Sequence, residues 1–445
     1  MIPVVRDFSP PLQPRLWSTS GARGALLGFL TVSAVACGRN AATGGAGGSP
    51  GSAGASAGPG GGGASMDTGG GGEGGAGAAG SAGTTGGAVA GGGAAGGDMG
   101  GGGQSGSGGG AGENDDAGRD AQDASTETAA PITLRAAAEQ SGRLIGAALG
   151  ARHLLDPDYA ATAAAQLNFA TPENEMKWDA TEPTRNVFTF EAADAIVAFA
   201  AAHGMQVKGH NFIWHAQLPS WVAGIQDTSD MRAAMVNHIT QVALHFRGKV
   251  VAWDVVNEAV VDGGQALRVN PFLQWIGPGY IDEAFIAAHA ADPDARLYYN
   301  DYGAEGTGAK SDAVYKLVQG MLARGVPIHG VGLQMHTGSL DASPSAAEVA
   351  SNMQRLAALG LDVAITEMDV QICNGELDAQ GRRFHDIVVD CVAQPACRAV
   401  TVWGVPDKYS WRNGQSCATP RPLLFDDDYL PKPAHAGVFN ALMGL

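Results

Sequence analysis

The runs VVAWDVVNE (250–258) and VAITE (363–367) each carry apolar, β-branched residues straight into a glutamate. A carboxylate in that position is costly to bury unless it is paired or put to chemical use. Either glutamate alone reads equally well as half of an ion pair at a strand end. Two of them, about three βα repeats apart, call for a common explanation.

Outward from these runs, the chain from residue 131 alternates short apolar segments with longer Ala- and Leu-rich amphipathic ones. Eight strand candidates stand out: 144–150, 167–174, 206–214, 250–258, 295–301, 330–336, 362–370 and 398–405. Between them lie helical stretches such as 190–204, 231–248, 311–325 and 346–360, several with glycine where a C-terminal cap belongs. This pattern predicts βα units around a parallel sheet buried on both faces. One domain over 131–445 fits the α/β class as a single (β/α)8 TIM barrel. The competing doubly wound sheet lacks its usual mark, because no GxGxxG or phosphate loop follows the first strand. In a barrel with strands about 4.8 Å apart and tilted by about 36°, the fourth and seventh stand roughly 14 Å apart across the mouth. Inward-pointing Glu258 and Glu367 would narrow that gap to about 5–7 Å, which suits a carboxylate pair flanking a glycosidic bond.

Polar residues gather at the carboxyl ends of the candidate strands, the face on which barrels build their sites. The second offers Glu173, Asn174 and Lys177, the third His210, Trp214 and His215, and the fourth Asp254, Asn257 and Glu258. The fifth offers Asn300 and Asp301, the sixth Gln334 and His336, the seventh Glu367 and Asp369, and the eighth Trp403, with Trp411 beyond it. One such histidine or asparagine is usually a satisfied structural group; convergence from seven strands on one mouth is far rarer.

Seven segments carry a further message: PENEMKWDATEP (172–183), KGHNFIWHAQLPSW (208–221), WDVVNEAV (253–260), YYNDY (298–302), GVGLQMH (330–336), ITEMDV (365–370) and TVWGV (401–405). In content and order they resemble glycoside hydrolase family 10, the endo-β-1,4-xylanases, across essentially all of 131–445. The resemblance implies the barrel fold, a retaining mechanism, xylan or xylo-oligosaccharide as the partner and no cofactor. It makes Glu258 the acid/base and Glu367 the nucleophile. Asn257 matches the family residue that holds the 2-hydroxyl of the sugar under attack, and Trp403 the tryptophan that crowds a hydroxymethyl group and so favours xylose over glucose. Met368 stands where the family commonly has Leu, a volume-conserving exchange.

The two carboxylates have opposite duties. Glu258 has to keep its proton until the leaving oxygen takes it, helped by burial or by the charge of Glu367; Glu367 has to stay ionised to attack carbon. His336 is placed to hydrogen-bond Glu367, with Asp369 orienting the imidazole from behind. By the same resemblance Glu173, Asn174, Lys177, His210 and Gln217 look like the polar wall for the glycone sugars. Trp214, Trp403 and Trp411 offer flat faces to pyranose rings, with plain core or rim packing as the alternative, stronger for Trp214 than for the other two. The loop QICNGELDAQGRR (371–383) is short and should leave the aglycone side open. Two other readings stay in play: a β-1,4-glucanase or cellobiosidase on the same barrel, and a non-catalytic surface carbohydrate-binding protein.

The first 130 residues obey different physics. Residues 24–36 (GALLGFLTVSAVA) are apolar, follow Arg6, Arg15 and Arg23, and are too short for a mature membrane span. They read as a secretory signal over 1–37, ending in a lipobox-like sequence that would leave Cys37 lipidated. Residues 38–130 are Gly-, Ala- and Ser-rich and cannot bury enough apolar area to offset chain entropy, so a flexible linker is expected. The five cysteines agree with export: besides Cys37 there remain Cys391 and Cys397, flanking a short turn, and Cys373 and Cys417 in neighbouring loops. No cysteine or histidine spacing suggests a metal site. The formal charge of −17 argues against a nucleic-acid partner. A monomer, held at a membrane only through Cys37, is expected.

Overall fold

Strands buried along nearly their whole length organise the molecule, seen in a computed structural model that describes residues 133–337, 344–373, 375–415, 417 and 419–445. The expected signal, Cys37 and the Gly-rich linker lie outside the described residues. The barrel strands are β1 (Leu144–Leu149), β2 (Phe169–Pro172), β3 (Gln206–Ile213), β4 (Ala252–Asn257), β5 (Arg296–Asp301), β6 (Gly330–Leu333), β7 (Asp362–Val370) and β8 (Cys397–Val402). They pair in parallel in that order, and β8 returns to β1 with Gly146 beside Thr401, closing the (β/α)8 barrel.

Parallel strands covered on both faces need apolar residues at every position rather than at alternate ones, and β1, β4 and β7 have no exposed residue. Inside the barrel a small cluster of Leu144, Phe169, Ala252, Tyr298, Ala364 and Ala399 fills the lower layer. The larger core lies between sheet and helices. Helix starts follow their sequence signals: Asp227 caps Thr228–Phe246 through the Asp230 amide, and Ser345 with Glu348 forms a capping box for Ala346–Ala357.

Two glycines are demanded by close approach. A Cβ on Gly209 of β3 would sit 2.1 Å from the Trp253 ring of β4, and one on Gly332 of β6 would sit 2.2 Å from the Asn300 side-chain oxygen. The second opening is what lets Asn300 reach across to β7.

The sequence reading is corrected at several strand and loop ends. β6 was expected to run to His336 but stops at Leu333, because Met335 takes φ 63°, which extended backbone cannot accommodate. Pairing resumes only at His336 and Thr337, beside Asp369 and Val370 of β7. β2 ends at Pro172, which has no N–H to give to the ladder. Residues 371–383 are only partly loop, since the helix Leu377–Ala393 claims the second half. Disulfides join Cys391 to Cys397 and Cys373 to Cys417, with Cα atoms 5.2 and 5.7 Å apart. The second links the loops that follow β7 and β8. No helix among the described residues is long and apolar enough to cross a membrane.

Candidate active site

A cleft of about 570 Å³ opens at the carboxyl ends of the strands, and both glutamates line it. Parallel register explains the convergence: Asn257 of β4 lies level with Asn300 of β5, so side chains leaving adjacent strands at one height meet in the mouth.

Glu258 is buried and follows the last residue of β4 in a left-handed conformation, φ 57°. Its amide donates to the Asn300 carbonyl (2.8 Å), and Arg268 Nε donates to its carbonyl oxygen (3.2 Å). With the backbone pinned, the carboxylate takes Trp214 Nε1 on one oxygen (2.8 Å) and Gln334 Nε2 on the other (3.0 Å). His215 Nδ1 stands 3.7 Å away. Trp214, expected as a sugar platform, therefore also anchors the carboxylate beside it.

Glu367 is fixed more tightly. One oxygen accepts Asn300 Nδ2 (2.7 Å) and the other meets His336 Nε2 (3.1 Å), whose Nδ1 lies 2.8 Å from Asp369. Fully buried Asp369 also accepts Trp411 Nε1 (2.8 Å) and two bonds from Arg412 (3.1 and 2.9 Å). Burial disfavours charge on His336, but its two carboxylate neighbours outweigh that and lift it well above the ordinary imidazole range. Burial likewise pushes the Glu367 carboxyl up; the His336 hydrogen bond, the nearby histidine charges and the Asn300 amide outweigh it and hold Glu367 below the usual carboxylate range. The result is an ionised Glu367 facing an imidazolium with both nitrogens donating.

A bridge of amides connects the two glutamates. Asn257 Oδ1 accepts from Asn300 (2.9 Å), which reaches Glu367, and from Gln334 (3.1 Å), which reaches Glu258. Asp254 supports from below, paired with Lys208 Nζ (2.7 Å) and His210 Nδ1 (3.0 Å).

The residues expected to form a polar wall also come together. Lys177 Nζ donates to Asn174 (2.8 Å) and Gln217 (2.7 Å) and sits 4.9 Å from the Trp214 ring centroid. Glu173 shares this wall, and burial pushes its carboxyl up to about 7, against the opposing charge of Lys177. Buried Trp403 lies edge-on to His210 at 5.1 Å, and half-exposed Trp411 flanks His336 at 4.9 Å. The structure thus gathers Glu173, Asn174, Lys177, His210, Trp214, Gln217, Asn257, Gln334, Trp403 and Trp411 around the glutamates, with Asn300 beneath them. Sequence reasoning did not single out Lys208, which pairs with Asp254, or Tyr302 and Arg412, which line the cleft. A buried lysine in KGHN and an arginine directly after Trp411 were the available signals.

Glu173 yields a pH prediction. Its folded pKa lies above the ordinary value, so folding disfavours its charged form, and stability falls as pH rises from about 4.5 to about 7. Glu173→Gln is expected to raise the stability of the ligand-free protein at pH 8 by about 2 kcal/mol. Thermal unfolding of the wild type and the variant across that range checks it.

Two opposed carboxylates in the mouth of a (β/α)8 barrel, one ionised against an imidazolium and the other held by neutral donors, define a glycoside hydrolase. The family model "Glycosyl hydrolase family 10" matches residues 133–441, and the chain belongs to that family. Endo-1,4-beta-xylanase B of Thermotoga neapolitana is 40% identical over 316 residues, covering 69% of this chain and 90% of the relative. An endo-1,4-beta-xylanase of Agaricus bisporus is 38% identical over 287 residues, covering 62% and 83%. The crystal structure of xylanase 10B from Thermotoga maritima superposes with a TM-score of 0.68 at 39% identity, covering 70% of this chain and 98% of that one.

Proposed function

We propose that the protein is an exported endo-β-1,4-xylanase that cleaves internal bonds of xylan with retention of configuration. The observation that carries this reading is Glu367, ionised between His336 and Asn300, linked through Asn257 and Gln334 to a separately held Glu258. Glu367 attacks the anomeric carbon while Glu258 gives its proton to the departing oxygen, leaving a glycosyl ester on Glu367. Esterification removes the charge of Glu367, and Glu258, now a carboxylate, takes a proton from water as that water attacks the same carbon. Two inversions at one carbon restore the starting configuration. The Asn257 carbonyl is occupied by two donors, so its amide nitrogen, one N–H of which makes a long 3.5 Å contact with Glu258, is the group left to offer a sugar 2-hydroxyl.

Proton NMR of the first products from xylotetraose tests substrate, bond and stereochemistry together. β-Configured reducing ends are expected, and α-configured ends or no cleavage would overturn the reading. The Trp403 ring supports a preference for xylose. Trp403→Ala should raise the ratio of kcat/KM for aryl cellobioside over aryl xylobioside about tenfold. Equal wild-type rates on the two substrates would remove the preference altogether.

Attachment to a membrane through Cys37 belongs to the same proposal and rests on the apolar run 24–36 ending at Ala36-Cys37. Labelled fatty acid should enter the wild-type chain and not Cys37→Ala. Equal labelling of both would refute it.

A further inference from the structure

The segment Gln334-Met335-His336 serves both catalytic glutamates, Gln334 donating to Glu258 (3.0 Å) and His336 meeting Glu367 (3.1 Å). In an extended strand, side chains two residues apart leave on the same side. Here they must diverge toward β4 and β7, and Met335, at φ 63°, breaks the strand to allow it. A buried methionine does not choose this region unaided, so something must hold it there.

That something is a carboxylate outside the cleft. Glu305, buried in the loop after β5, accepts the Met335 amide and the Gly303 amide on one oxygen, each at 3.0 Å. Its own loop is fixed in turn. Buried Asn352 donates to the Ala304 and Glu305 carbonyls (2.7 and 3.1 Å), and Arg355 Nε holds the Asn352 oxygen at 2.7 Å. Burial pushes the Glu305 carboxyl up in spite of its amide donors, the mark of a group kept inside at a cost to folding.

We infer that Glu305 is a positioning residue for the reaction: by holding Met335 in the left-handed region it aims Gln334 at one carboxylate and His336 at the other. The inference rests on the roles proposed above for Glu258 and Glu367. Without the acceptor, the buried Met335 amide loses its partner, the turn relaxes toward extended backbone, and both contacts are misaligned together.

The test compares Glu305→Ala, Glu305→Asp and Glu305→Gln on xylotetraose and on an aryl xylobioside with a strongly acidic phenol. Alanine, and aspartate, which is one methylene short of the two amides, should each lower kcat on xylotetraose by on the order of 10- to 100-fold while KM stays within about threefold. The loss should be smaller on the aryl substrate, whose departure needs little help from Glu258. Glutamine keeps an oxygen in place and should stay within about threefold of wild type. A merely destabilising substitution would lower both substrates equally and follow the folded fraction. The inference is overturned if Glu305→Asp keeps kcat within about twofold of wild type, or if glutamine loses as much as alanine. Failure of the underlying functional reading would show separately, as a wild-type protein without activity on xylotetraose.

Discussion

Glu367→Ala is expected to lower kcat on xylan by on the order of 10⁵-fold, with KM changed little. The expectation follows from what surrounds this carboxylate. One oxygen is occupied by His336 and the other by Asn300, so neither a neighbouring acid nor a rotated side chain can replace it. Glu258 cannot substitute either, because Trp214 and Gln334 hold it from the other side. The variant should remain folded, since Asp369 still pairs with His336, Trp411 and Arg412. Loss of the Glu367 charge takes away one of the two anions that raise His336, so the imidazole should titrate lower than in the wild type. Azide added to this variant would enter from the face Glu367 has vacated and give the α-xylosyl azide from an activated β-xyloside. Wild-type turnover, or a β-azide product, would show that Glu367 does not attack carbon.

What the sequence made legible, and what it hid, has a physical pattern. β4 and β7 were readable because a strand buried on both faces must be apolar at nearly every position, which makes a terminal glutamate conspicuous in VVAWDVVNE and VAITE. Residues on one strand face declared themselves by spacing, as with Glu367 and Asp369, and so did the cysteines on either side of the short turn before β8. Contacts set by tertiary closure did not. Met335 carries no local signal for positive φ, since it is neither glycine nor asparagine, and the Glu305 carboxylate that accepts its amide comes from another loop. Arg412 has no local signal beyond following Trp411, yet the loop after β8 brings it onto Asp369 of β7. Trp214 shows the same limit: its ring suggested a sugar platform, while its N–H has a second duty on Glu258 that depends on how far β3 and β4 bring the two together.

That N–H contact shapes the other large effect. Glu258→Ala should reduce kcat on xylan by on the order of 10³-fold, within the range that general acid–base assistance contributes. Unlike the loss of Glu367, this loss should depend on the leaving group. A xylosyl oxygen departs as a poor anion and needs the proton, whereas a dinitrophenolate departs without it, so glycosylation of Glu367 should remain fast on an activated aryl xylobioside. Hydrolysis of the ester then becomes limiting, because no base is left to activate water, and KM for the aryl substrate should fall as the intermediate accumulates. Removing the carboxylate leaves Trp214 Nε1 without its acceptor and frees one N–H of Gln334 Nε2, whose other N–H stays on Asn257, on the face from which water attacks. A small anion fits that vacancy. Azide should restore turnover of the aryl substrate and yield the β-xylosyl azide, opposite in configuration to the product from Glu367→Ala. The pair of variants thus assigns each glutamate to one face of the same carbon, and identical azide products from both would show that the two do not flank it.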